Sequence, residues 1–260
     1  MNDSKISQHK KEVHEVSRGA MIFLSVTLAL LIILLFASSG IPFWQTALTL
    51  LALSLIPVPL YADIRMREKK LLVSDAEALF TRLKDSKNEK GTLWFGITGS
   101  WRKTSAEEEN DVREAVRKII ARGDGIVSGG ALGVDYFATD EALKLDPGAA
   151  KIKVFLPLTA DLFFSHYRKR EQEGVITPEQ AESVIALLEK LMKTNRQAVV
   201  ENFANTVADK KTYFERNTEV VNASDALFGF QVNESEGTGD TVNKALAEGK
   251  PVCLKKYQIE

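Results

Sequence analysis

The chain has 260 residues, enough for one α/β domain and an appendage. Its 34 Lys and Arg are balanced by 35 Asp and Glu, which argues against the broad basic surface that a large nucleic-acid footprint needs. One cysteine, Cys253, permits no intramolecular disulfide and, lying in an apolar run, reads as a packed thiol; His9, His14 and His166 are too scattered for metal-ligand spacing.

Residues 1–18 form a polar segment carrying Lys5, Lys10, Lys11 and Arg18. Residues 19–62 hold two uncharged stretches, Ala20 to Ser38 and Ile41 to Ala62, separated by only two residues. About 20 apolar residues match a hydrocarbon core of roughly 30 Å, so the segment predicts a two-helix transmembrane hairpin. The first stretch is longer than a signal peptide's apolar region and is followed at once by a second. Arg65, Arg67, Lys69 and Lys70 follow the second span, and the turn at Ser39 and Gly40 is uncharged. The positive-inside rule then places both termini in the cytoplasm of an inner-membrane protein. Gln45, Thr46, Thr49 and Ser54 in the second span either face other spans or are tolerated in lipid.

Residues 63–90 predict a linker helix, with Leu71, Leu72, Ala76, Leu79, Phe80 and Leu83 at helical spacing. Residues 91–260 then alternate. Thr92 to Thr98, Gly125 to Gly129 and Lys151 to Pro157 predict strands, as do Asp225 to Gln231 and the run after Pro251. Helical patterns separate them at 105–123, 131–145, 177–193 and 208–224, the third opening on Thr177 and Pro178. This alternation predicts a mostly parallel sheet with helices on both faces. Removing the four basic and three acidic residues before Asp63 leaves 30 basic against 32 acidic, so this part has no overall basic surface.

Three strands end in glycine-rich loops: "GITGSWR" from Gly96, "SGGALGVD" from Ser128 and "SEGTGDT" from Ser235. In open parallel sheets a ligand sits beyond the carboxyl ends of the strands. Glycine lets backbone approach it, and helix N-termini favour an anion. The third loop lacks both the lysine of a P-loop and the spaced glycines of a dinucleotide fingerprint. A small phosphate-bearing ligand shared by the three loops is therefore expected.

These loops, with "FERN" at 214–217, resemble in order and character the SLOG superfamily, which joins the DNA-processing protein A (Smf) domain with the cytokinin-activating LOG phosphoribohydrolases. The resemblance covers nearly all of 91–260, implies a Rossmann-like α/β domain, and leaves out the hairpin. Membrane hairpins joined to such domains look like a group of predicted nucleotide sensors in bacterial defence systems such as CBASS. The resemblance thus implies a membrane effector controlled by a nucleotide-derived signal. Its expected partners are the lipid bilayer, a nucleotide-like small molecule, a second or further copy of the chain and, functionally, a nucleotide cyclase. Neither a cofactor beyond that nucleotide ligand nor extended nucleic acid is expected.

Each loop then has candidate residues. Gly99 and Ser100 offer amide and hydroxyl donors, while Arg102 pairs with phosphate and Trp101 either stacks on a base or packs. Gly129 and Gly130 form the second turn, and Asp135 either accepts from a ribose hydroxyl or braces its own turn. Arg216 and Asn217 project toward the site, Arg216 to meet phosphate or to pair with Glu215 or Glu219. Ser235, Gly237, Thr238, Gly239 and Thr241 form the expected phosphate cradle. The LOG enzymes place a catalytic glutamate where this chain has Thr241, and a hydroxyl supplies no carboxylate acid/base chemistry near neutral pH. A binder is expected rather than an enzyme. The alternatives are hydrolysis through Asp240, single-stranded DNA binding as in DNA-processing protein A, and a scaffold that binds nothing.

Overall fold

The computed structural model describes residues 70–259. The first strand, β1 (Leu72–Val73), is followed by α1 (Ala76–Arg82) and α2 (Lys84–Lys90). Next come β2 (Trp94–Gly99), α3 (Ala106–Ala121), β3 (Gly125–Ser128), α4 (Val134–Leu145) and β4 (Ile152–Phe155). Two consecutive helices follow, α5 (Ala160–Gln172) and α6 (Pro178–Thr194), and a 3-10 turn leads to β5 (Val199–Val200). The chain closes with α7 (Lys210–Asn222), β6 (Ala226–Val232), α8 (Glu236–Ala247) and β7 (Val252–Tyr257).

The seven strands form one sheet in the order β1-β7-β6-β2-β3-β4-β5, and every pairing is parallel. From β2 the chain steps outward through β3 and β4 to β5, then returns to pair β6 with the other side of β2. Right-handed crossovers in opposite directions put α3 and α4 on one face and α8 on the other. The order reverses at β2 and β6, which opens a crevice at their carboxyl ends. This is a Rossmann-like α/β architecture.

Local chemistry starts the helices where they are needed. Asp75 accepts from the Ala78 amide at 2.9 Å and opens α1. Ser105 accepts from Glu108 at 3.1 Å and opens α3. Thr177 and Gln180 form a reciprocal capping box ahead of α6, with Pro178 at its first position. Thr177→Ala is expected to lower stability by about 1 kcal/mol in urea denaturation, because the Gln180 amide loses its side-chain partner. An unchanged midpoint would show that the cap carries no weight.

The core gathers against both sheet faces. Phe95 of β2 and Phe228 of β6 lie side by side with ring centroids 5.9 Å apart, and Phe80 of α1 meets them at 5.5 and 6.1 Å. Thus α1 closes the sheet centre. Cys253 on β7 packs at the edge of this core, and burial pushes its thiol up to about 11.

The structure differs from the sequence reading in several places. Within the described part of the expected 63–90 helix lie a short strand and two helices, because Ser74 and Asp75 start a new helix after Val73. The helix expected from Ala131 begins at Val134. Neither β1, β5 nor α5 was anticipated. The expected hairpin, 19–62, lies outside the described residues, as does the segment 1–18. The expected inner-membrane localisation is corrected: no helix among the described residues is long and apolar enough to cross a membrane. The longest, α6, has 17 residues and carries Glu179, Glu182, Glu189, Lys190 and Lys193, short of the roughly 20 apolar residues a span needs.

Candidate functional site

A cavity of about 380 Å³ opens at the reversal point. Its floor is the end of β2, Ile97 to Gly99, beside Gly129 after β3. Asp135 enters from the first turn of α4, Gly237 and Thr241 from α8. One wall is α7, which contributes Lys210, Tyr213, Phe214, Arg216 and Asn217. The other is α5, with His166, Tyr167 and Arg170.

Arg216 is the centre of the arrangement. Its Nη1 donates to Asp135 Oδ2 at 3.0 Å, and both side chains are about nine-tenths buried. Its Nε is buried with no hydrogen-bond partner among the described residues. The guanidinium lies in the space a side chain at 129 would fill: a Cβ built there would stand 0.7 Å from Nη1. Only glycine leaves that space open. Asp135 also accepts from the Ala131 amide at 3.2 Å. Burial pushes its carboxyl above the usual range, opposed by Arg216 beside it. The pair is therefore a partly desolvated charge couple whose cation has donor capacity to spare.

Aromatic groups surround it. The Arg216 guanidinium lies 5.6 Å from the Tyr213 ring centre, and Lys210 Nζ lies 5.3 Å from that of Phe214. Tyr167 Oη accepts from the Leu132 amide at 2.8 Å, fixing the loop after β3. Burial raises the phenols of Tyr167 and Tyr213, so both stay protonated. Burial also lowers the His166 imidazole, with the Arg170 charge adding to the effect. Trp101 is 39% exposed at the rim.

Of the thirteen residues singled out from sequence, Gly99, Gly129, Asp135, Arg216, Asn217, Gly237 and Thr241 line this cavity. The other six lie outside its lining. Ser100 is a brace: its hydroxyl accepts from the Val232 amide at 3.2 Å and meets Ser235 Oγ at 3.4 Å. Arg102 projects outward over the Trp101 ring, 4.7 Å from its centre. Gly130, at φ +68°, turns the chain over Val154 and Leu156. Ser235 bonds Thr238 Oγ1 at 2.7 Å, and Thr238 is buried. The amide of Gly239 already donates to Ser235 within the helix at 3.1 Å.

The segment expected to cradle phosphate opens α8, whose N-cap Ser235 makes no side-chain bond to the opening amides. Thr241 turns its hydroxyl inward, donating to the Gly237 carbonyl at 3.1 Å and meeting Thr98 Oγ1 at 3.3 Å. Asp240 is held outside by Asn217 at 3.1 Å and Lys244 at 2.7 Å. Arg216 pairs with Asp135 instead of Glu215 or Glu219.

Sequence reading missed the aromatic and cationic walls. Lys210, Tyr213 and Phe214 share one stripe of α7 with the expected Asn217 at helical spacing, a signal running back from "FERN". His166, Tyr167 and Arg170 lie in α5, whose start after Thr159 was unrecognised. Among the described residues no cluster of three or more His, Cys, Asp or Glu could hold a metal ion.

A parallel sheet whose strand order reverses at a crevice defines a Rossmann-like α/β domain. The family model described as DNA recombination-mediator protein A matches residues 74–156, from just before α1 to the end of β4. A solved structure of DNA processing protein A from Helicobacter pylori, reported for its single-stranded DNA binding mode, is 23% identical. The match covers 62% of this chain and 64% of that one, with a TM-score of 0.45. The DNA processing protein A of Streptococcus pneumoniae is 14% identical, with 62% of this chain and 58% of that one covered at a TM-score of 0.36. The match thus takes in less than two-thirds of either structure. No curated protein matches. The described residues contain a domain similar to that of DNA processing protein A, as the SLOG resemblance implied.

The expectation that extended nucleic acid would not be bound is corrected by these comparisons, since the Helicobacter pylori structure is described as binding single-stranded DNA. Total charge is near zero, but an average over the chain does not describe one opening: Arg170, Lys210 and Arg216 line the cavity together with Asp135 and Asp209.

Proposed function

We propose that this domain binds nucleotide units of single-stranded nucleic acid and performs no chemistry on them. The observation that carries the reading is the buried Arg216, with an unpartnered Nε, in a cavity walled by aromatic rings. Phosphate is taken by the free guanidinium edge and the opening amides of α8. The base is taken by the rings of Tyr213, Phe214 and Trp101, since stacking on aromatics with cations nearby is how single strands are held without strict sequence preference. The single-stranded DNA binding described for the Helicobacter pylori protein supports the choice of a strand over a free metabolite. Neither the fold nor the comparisons supplies support for a membrane-effector or antiviral role, and the reading stops at binding.

Catalysis is left out on chemical grounds. Glycosidic cleavage calls for an acid or base at the scissile bond. Thr241 is a hydroxyl bonded inward, and Asp240 is held by Lys244 and Asn217 outside the cavity lining.

Calorimetric titration of the full chain tests the reading, with AMP as the smallest nucleotide unit and adenosine as its phosphate-free counterpart. AMP is expected to bind at least tenfold more tightly than adenosine and to remain intact. Arg216→Lys keeps the charge but loses the planar fork, and is expected to weaken AMP at least tenfold. Equal affinity for AMP and adenosine, or for AMP in both proteins, would overturn the assignment of the phosphate to Arg216.

A further inference from the structure

The carboxyl edge of the sheet has a second hollow, of about 310 Å³, beside the first. It lies over the ends of β4 and β5, lined by Phe155, Val200, Glu201, Phe203, Arg216 and Glu219 among others. Arg216 lines both hollows. Its side chain therefore stands between two openings along one edge of one sheet.

Phe203 is the most exposed large apolar side chain among the described residues, at 77%. It is not on a loose loop. The Asn202 side-chain oxygen accepts from the amides of Ala204 at 2.9 Å and Asn205 at 3.1 Å, closing a tight turn under the ring. Asn205 Nδ2 in turn donates to the Pro157 carbonyl at 3.2 Å and to Glu215 Oε2 at 3.1 Å. The backbone is braced on both sides and the ring faces water. A flat aromatic surface held in this way in a hollow that Arg216 also lines fits another flat ring.

Resting on the reading of the first cavity as a nucleotide site, we propose that the ligand carries at least two successive nucleotides. One base occupies the cavity over β2 and β3, the next stacks on Phe203 over β4 and β5, and the linking phosphate lies at Arg216. The acid groups of the second hollow agree with a neutral base there and not with a second phosphate. Glu201 is already engaged by the Ala160 amide at 2.6 Å and by Arg196. Glu219 is exposed and can accept from an exocyclic amino group. Adenine and cytosine satisfy that acceptor, whereas thymine does not.

Titration of the full chain with AMP, the 5′-phosphorylated diadenylate pApA, and tetramers of dA and dT provides the test. The dinucleotide is expected to bind at least tenfold more tightly than AMP, and the dA tetramer more tightly than dT. Phe203→Ala should return pApA to the affinity of AMP while leaving AMP unchanged, and Phe203→Trp should restore the gain. Because the ring is exposed and packs on little, these variants are expected to fold. AMP binding that is lost in Arg216→Lys, with no gain for pApA, would overturn the second subsite and leave the first standing. Equal weakening of AMP and pApA by Phe203→Ala would overturn it too. Failure of both AMP and pApA to bind would overturn both readings.

Discussion

Gly129→Ala is expected to weaken AMP binding about a hundredfold while leaving the fold intact. The Cβ of alanine would fall 0.7 Å from Arg216 Nη1, and the other close atoms, at 1.9 and 2.7 Å, belong to the same guanidinium. The clash is therefore with the end of a flexible side chain and not with backbone. The chain backbone can stay in place while the guanidinium leaves, breaking its 3.0 Å bond to Asp135 and vacating the phosphate position. A hydrogen bond to a charged group is worth about 1.5–3 kcal/mol, and loss of two such bonds to phosphate gives an effect of this size or larger. Unfolding monitored by circular dichroism separates the two consequences. A folded protein with undiminished AMP affinity would show that the guanidinium does not touch phosphate. Asp135 left buried without its partner should lower the melting point, and the further change Asp135→Asn should recover part of it without recovering binding.

Glu108 is expected to make the protein less stable as pH rises through neutrality. It occupies the third position of α3, where its amide donates to Ser105, but its carboxylate is fully buried. Neither carboxylate oxygen has a hydrogen-bond partner among the described residues. Burial pushes this carboxyl up to about 7 from its ordinary 4.5. The folded state thus holds a proton that the unfolded state releases between those values. Stability from this group is present below pH 4.5, falls from there to about 7, and stays lost above. A displacement of this size corresponds to about 3 kcal/mol. Glu108→Gln keeps shape and polarity without the charge. Urea denaturation should find the variant more stable than the parent by about 2–3 kcal/mol at pH 8 and by little at pH 4.5. Parallel profiles would show that the carboxylate finds water or a cation when ionised.

The sheet was legible because β2, β3, β4, β6 and β7 are bounded by glycine, proline and polar turns and separated by helical periodicity. The two edges were not. Leu72–Val73 and Val199–Val200 are two residues each, too short to show any alternation, and they exist through pairing with β7 and β4. Helix α5 follows Pro157 closely, and its apolar stripe of Phe163, Phe164 and Tyr167 was visible but unclaimed. At the site, the glycine loops gave away the crevice because only glycine admits so close an approach. Hydroxyls were harder to place. Ser100, Ser235 and Thr238 have the same chemistry whether they face a ligand or each other, and here they brace one another. The Asp135–Arg216 pair joins residues 81 apart, and no local pattern could have matched them. Nor could total charge reveal that three cations share one opening.

That pairing has a consequence for discrimination. A bare anion such as chloride or inorganic phosphate approaches a guanidinium already neutralised by its own carboxylate, so attraction from a distance is weak. A guest must bring a flat ring as well as a negative group before occupancy becomes favourable. On the proposed reading, the crevice is thereby guarded against the small ions that any cell contains in excess and favours molecules that combine both features.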